Sequence, residues 1–167
     1  MKSLSQWLES SASNPLNLVE ELLQAREWNF ERLGEDEVVA SVTNQWCDCR
    51  LYFIWSGEMS AMQFSAVLDM RVPKARRAAT HELLALVNNK AWMGHFELAG
   101  DTNLLVFRHT VPLRGAGGVT AEQLEDLVDS ALGECERAYP AFQYVIWGGK
   151  GPAEALAVAL IETKGEA

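Results

Sequence analysis

Between Trp46 and Phe96 the chain carries two long alternating runs and then a helical one, and this order constrains the fold more than any other feature. In Trp46–Trp55, Cys47, Cys49, Leu51, Phe53 and Trp55 share one face; Trp46, Asp48, Arg50, Tyr52 and Ile54 share the other. Side chains alternate along a strand, so the first set belongs in a core. The second set, half polar and half aromatic, suits a sheet face that is only partly covered. Gly57 within Ser56–Ser60 turns the chain, and Met62, Phe64, Ala66, Leu68 and Met70 repeat the inward pattern over Ala61–Met70. From about Pro73 to Trp92 the period changes. Ala79, Leu83, Leu86, Val87 and Ala91 recur at helical spacing, and Gly94 is placed to end the helix. The result is an α+β fold, an antiparallel β-sheet packed with helices.

The flanking sequence extends this pattern. Asn14 caps a helix with Pro15 at its first position and Leu16, Val19, Leu22 and Leu23 as its buried stripe. Trp28–Phe30 alternates as a short strand does. An acidic turn, Gly34–Glu37, leads to a strand with Val38, Ala40 and Val42 on one face. A hairpin about Gly100–Thr102 sets Phe96 against Phe107 and Leu98 against Leu105. Thr120 and Gln123 form a capping box, followed by a stripe of Leu124, Leu127, Val128, Ala131, Leu132 and Cys135. Pro140 is expected to interrupt that helix, leaving Ala141–Trp147 open between a strand and a short helix. A last helix, about Pro152–Thr163, is apolar nearly all round and is expected to be covered on several sides. The element order is therefore about α-β-β-β-α-β-β-α-α. Residues 1–13 read as a loose Ser-rich arm, and 14–167 as a single domain.

The formal net charge is −9, which disfavours phosphate backbones as partners. The one basic cluster, Arg71, Lys74, Arg76 and Arg77, lies at a predicted helix N-terminus, and its ordinary role is to pair with acidic groups elsewhere on the surface. Three cysteines, an odd count, together with an N-terminus lacking a continuous apolar segment, point to a reducing compartment. No apolar run approaches a membrane span. The expectation is a soluble cytoplasmic protein, with neither membrane nor nucleic acid as a partner.

Catalytic motifs are not evident. Cys47 and Cys49 alternate onto one face, which suits a soft metal or a redox pair. Zinc, however, needs four ligands, and no second paired set exists. On a face shared with Leu51, Phe53 and Trp55 the thiols read as small hydrophobes. His109 falls on the inner hairpin face opposite Gly94 and reads as a core histidine; His95 falls outward beside Arg108, and His81 on the polar side of its helix. Gly115–Thr120 lacks the third glycine of a dinucleotide loop. Gly148–Gly151 lacks the spacing and hydroxyl residue of a phosphate loop. Both read as ordinary loops.

Several segments together resemble a known family. They are Asn14-Pro15-Leu16 through Glu21, Trp46-Cys47-Asp48 with Arg50-Leu51-Tyr52-Phe53, Asp69–Pro73, Glu82–Leu86, Trp92–Phe96, Phe107-Arg108-His109, Leu124–Val128 and Tyr139–Lys150. From about Asn14 onward the chain resembles the bacterial YbjN-domain proteins, in the form typical of alphaproteobacteria. The resemblance implies a fold like that of the type III secretion chaperones, which commonly dimerise and hold partner polypeptides. It also implies a sensory transduction regulator linked to stress responses and motility, with no established reaction and no catalytic residues to carry over. The expectation is a non-enzymatic protein-interaction module, a homodimer holding a protein or peptide, with no cofactor and no metal. Trp46, Arg50, Tyr52 and Ile54 are the partner-binding candidates, against the plainer reading that the chain's own helices cover them. The rival is a small-ligand or metal-binding sensor using Cys47 and Cys49.

Overall fold

The computed structural model describes residues 13–165, so all but Ser13 of the arm read at 1–13 lies outside the described residues. Helix α1 (Leu16–Ala25) precedes four strands: β1 (Asn29–Arg32), β2 (Glu37–Thr43), β3 (Asp48–Ser56) and β4 (Ala61–Arg71). A 3-10 turn (Lys74–Arg76) opens helix α2 (Arg77–Asn88). Strands β5 (His95–Leu98) and β6 (Leu104–Pro112) follow, then helices α3 (Ala121–Ile146) and α4 (Pro152–Gly165). The strands form one six-stranded sheet, ordered β1-β2-β3-β4-β6-β5, with every pairing antiparallel. The α+β class holds, with one strand more before α2 than the expected order, because the Trp28–Phe30 alternation does make a strand.

Registers follow the apolar pattern. Phe53 pairs with Phe64 and Cys49 with Leu68 across β3 and β4; Phe96 pairs with Phe107 and Leu98 with Leu105 across β5 and β6. Phe53 meets Phe64 edge-on at 5.1 Å, and Phe96 meets Phe107 at 5.2 Å. These inner side chains share one core with Leu16, Val19, Leu23, Leu83, Leu124, Val128, Phe142 and Ala155 from all four helices. The helices therefore cover one side of the sheet. A register shift interrupts the ladder between Val67 and Arg71, after which β4 pairs again with β6 at Arg71 and Leu104.

Four local expectations are corrected. Strand β3 begins at Asp48, because Asn44 accepts the Trp46 and Cys47 amides on its side-chain oxygen at 2.8 and 2.9 Å and holds both residues in a turn. Helix α2 ends at Asn88, well before Gly94. The Asn88 side chain donates to the Phe96 carbonyl (2.9 Å) and accepts from the Phe96 amide (2.7 Å), fastening the helix end to β5. Helix α3 runs unbroken through Pro140 for 26 residues. Proline inside a helix costs about 3 kcal/mol. Tyr139, Phe142, Val145 and Ile146 beyond or beside it are all buried, each returning roughly 1.5–3 kcal/mol, so packing prevails. Helix α4 is covered on one side: Ala155 and Ala159 are buried, whereas Ala153, Ala157 and Leu160 are exposed.

Arg76 fixes the relation of these helices. Its Nε donates to the Val145 carbonyl (2.8 Å) and its Nη2 to the Lys150 carbonyl (3.2 Å), satisfying acceptors at the end of α3 and in the loop to α4.

Candidate functional site

The face of the sheet turned away from the helices carries the clearest candidate. Along β3, Arg50 lies between Ser41 and Val67, Tyr52 between Val39 and Ser65, and Ile54 between Glu37 and Gln63. Arg50 is exposed, Tyr52 half-buried, and Ile54 is 38% exposed. A cavity of about 560 Å³ is lined by Asn29, Ser41, Thr43, Arg50, Tyr52 and Asp69 among others, all from strands or, as Leu104, a strand end. Across the same sheet, Glu97 accepts from Arg108 at 2.8 Å and meets His95 at 3.1 Å, with Glu97 and Arg108 half-buried and His95 exposed.

Three of the four sequence candidates thus come together, and Trp46 stands apart from them. Its ring lies 6.0 Å from that of Tyr139 at an interplanar angle of 12°, stacked on α3. Displaced from β3 by the Asn44 turn, Trp46 leaves the alternation that would have set it beside Arg50. Asn44 in a polar Thr43-Asn44 pair was the available signal for that turn.

The cysteines cluster where β3 begins. Cys49 is 2% exposed on the core side and Cys135 1% exposed on α3, whereas Cys47 is half-buried in the turn. All three are free thiols. Asn44 donates to the Cys49 sulfur at 3.8 Å. The Cys49 thiol favours the Cys47 thiolate; with help from the Asp69 backbone, it holds Cys47 below the ordinary thiol range despite partial burial. The same interaction with Cys47, then burial, pushes Cys49 up. Burial foremost pushes Cys135 up to about 12. Among the described residues no group of three or more His, Cys, Asp or Glu side chains is arranged to hold a metal.

A second concavity, of about 370 Å³, lies between the β6 end of the sheet and α3, lined by Trp92, Met93, Phe107, His109, Leu127 and Arg137 among others. Trp92, expected on α2, is wholly exposed at its mouth. His109 is half-buried here rather than a core residue, and burial lowers its pKa, with a smaller contribution from His95. Gly94 makes room for Phe107, not for His109: an added Cβ would lie 2.4 Å from Phe107 Cζ and 2.8 Å from the Arg108 carbonyl oxygen.

Other sequence features resolve simply. Arg76 bonds backbone carbonyls, and Arg71, Lys74 and Arg77 form no ion pair among the described residues, so the expected pairing with surface acids is replaced. In the Gly148–Gly151 loop, Lys150 pairs with Glu154 at 3.3 Å and lies over the Tyr144 ring. No helix among the described residues is long and apolar enough to cross a membrane.

With that geometry in hand, comparison with known proteins decides the family. The YbjN pattern, described as "Putative bacterial sensory transduction regulator", matches residues 15–144. The chain belongs to the YbjN family. Its structure is similar to a solved one titled "Crystal structure of YbjN, a putative transcription regulator from E. coli". The TM-score is 0.53 and the identity 16%, over 74% of this chain and 88% of that one. At that identity the likeness speaks for the fold alone. No curated protein matches.

Proposed function

We propose that this YbjN-family chain is a non-enzymatic regulatory protein that works by binding polypeptide, a second copy of itself and a partner protein, on the open face of its sheet. The observation that carries this reading is a cavity lined by strand residues and no helix residue, with Arg50 and Tyr52 among its lining and Ile54 next along the same row of β3. A central Tyr and Arg beside a half-exposed Ile is the composition that supplies binding energy in protein interfaces. A net charge of −9 weighs against a phosphate backbone as the occupant. The family's description as a sensory transduction regulator supports the same reading.

Light scattering at micromolar concentration is expected to give the mass of two chains, and Arg50→Glu with Ile54→Asp to give one. A wild-type monomer would sink the dimer half of the proposal. The partner half predicts a polypeptide retained from lysate by wild type and lost by the double variant. Duplex DNA binding at physiological salt, read by anisotropy, would instead favour nucleic acid as the partner.

A further inference from the structure

The cleft between the β6 end of the sheet and α3 carries an inference that does not depend on the open face, since no residue lines both cavities. Trp92 and Met93 belong to the connection from α2 to β5, and that connection is fixed at both ends. Asn88 holds the Phe96 backbone, and Gly94 lies close against Phe107 and the Arg108 carbonyl. Phe107, Leu127 and Ala131 add apolar lining. The Trp92 side chain is nevertheless wholly exposed. Aromatic side chains bury roughly 150–250 Å² when covered, so a flat ring laid on Trp92 recovers apolar area that the fold leaves in water.

On the α3 wall, Gly133 has no packing reason to be glycine. It lies in the interior of a 26-residue helix, where glycine is less favourable than alanine. A Cβ there would meet only the Arg137 guanidinium, at 3.5–4.0 Å, which is ordinary contact. What the glycine does is leave the cleft open down to the helix backbone, beside that guanidinium.

Charge in the cleft points to the kind of ligand. Of its two carboxylates, Asp129 is taken by Arg26 at 2.6 Å and Glu134 by Arg137. The second pair uses Nη2 of the guanidinium; Nε and Nη1 have no hydrogen-bond partner among the described residues. An exposed pair of this kind is weak, so Arg137 can accept a second carboxylate at little loss. His109 and Ser130 add a ring nitrogen and a hydroxyl to the lining. Burial foremost lowers the His109 pKa, so near pH 7 its ring is neutral and Arg137 is the lining's only cation.

We propose that this cleft binds a small aromatic carboxylate, its ring laid against Trp92 and its carboxylate held by Arg137. The cavity of about 370 Å³ falls in the range of small-molecule sites, and apolar walls with a few polar groups are their usual composition. A wholly apolar ligand would leave the free donors of Arg137 unused. A small inorganic anion would leave the Trp92 ring uncovered.

The test titrates the full, isotope-labelled chain with phenylacetate and with its uncharged isostere phenylacetamide, following amide and indole N–H shifts. Phenylacetate is expected to saturate with a Kd below about 5 mM, shifting the Trp92 indole and the Gly133 and His109 amides. Phenylacetamide should bind about tenfold more weakly, as loss of charge-assisted hydrogen bonds implies. Arg137→Gln should abolish that preference, and Trp92→Ala should weaken both ligands by about fivefold. Both side chains are exposed, so neither replacement disturbs the fold, which unchanged shifts away from the cleft will show. Gly133→Leu, which fills the cleft from α3, should abolish binding of both. The open-face variant Arg50→Glu with Ile54→Asp should bind phenylacetate as wild type does, so this proposal and that reading fail separately. No saturation by about 20 mM, shifts centred outside the cleft, or a preference kept by Arg137→Gln would each overturn the proposal.

Discussion

At Gly94 a single methyl group decides whether β5 can close. The backbone there is left-handed (φ 69°), and a Cβ would intrude on both the Phe107 ring and the Arg108 carbonyl. Strain of this kind costs about 1–3 kcal/mol before any displacement of the ring. Gly94→Ala is therefore expected to lower stability by at least that much in urea titration, and an unchanged midpoint would refute the account. Cys135 gives the residue-scale prediction for pH. In the unfolded chain its thiol ionises near 8.5, whereas in the folded chain it is pushed up to about 12. Between those values the unfolded state releases a proton that the native state keeps. The contribution is thus complete below about pH 8.5 and is lost as pH rises, at about 1.4 kcal/mol per unit. Unfolding measured under reductant at pH 8, 9.5 and 10.5 should show a shallower decline in Cys135→Ala than in wild type; parallel declines would contradict it.

Among the elements, the hairpin of β5 and β6 and the capping box of α3 were legible to the residue. The reason is local: opposed aromatic pairs and a Thr-x-x-Gln spacing each specify a geometry without help from the rest of the chain. Thr120 indeed accepts from Gln123 at 3.1 Å, and Gln123 accepts in return at 2.9 Å. What was not legible depended on contacts distant in sequence. Nothing around Pro140 announces that Phe142 will meet Phe96 at 5.6 Å, yet contacts of that kind carry α3 through the proline. The end of α2 likewise depends on Asn88 finding Phe96. At the site, alternation correctly grouped Arg50, Tyr52 and Ile54, but it could not see the Asn44 turn that removes Trp46 from their row. Arg76 was visible only as a charge. Its actual work is to join three elements, so Arg76→Ala, which strips partners from the Val145 and Lys150 carbonyls, should cost about 1–3 kcal/mol. Arg76→Lys should recover only part of that in thermal unfolding, because one ammonium does not reproduce the guanidinium fork. Full recovery would mean that charge alone matters.

For the molecule as a whole, the asymmetry of the sheet separates the packed core from the open face proposed for binding. One side holds the core contributed by all four helices, and the other holds the cavity of about 560 Å³. Substitutions on the open side should therefore leave folding nearly untouched. Ile54→Asp at a site 38% exposed is expected to change stability by less than about 0.5 kcal/mol while abolishing self-association. A large loss of stability in the isolated chain would show that this face belongs to the fold rather than to a partner. The strand lengths add a further consequence. Both rims of the sheet, β1 and β5, are only four residues long, and β1 carries Glu31 and Arg32. Where β6 outruns β5 it ends at Pro112, which has no amide hydrogen to offer. Neither margin can template a long intermolecular ladder. Assemblies of this protein should accordingly stay finite, built by surface-to-surface docking, and resist growth into fibres.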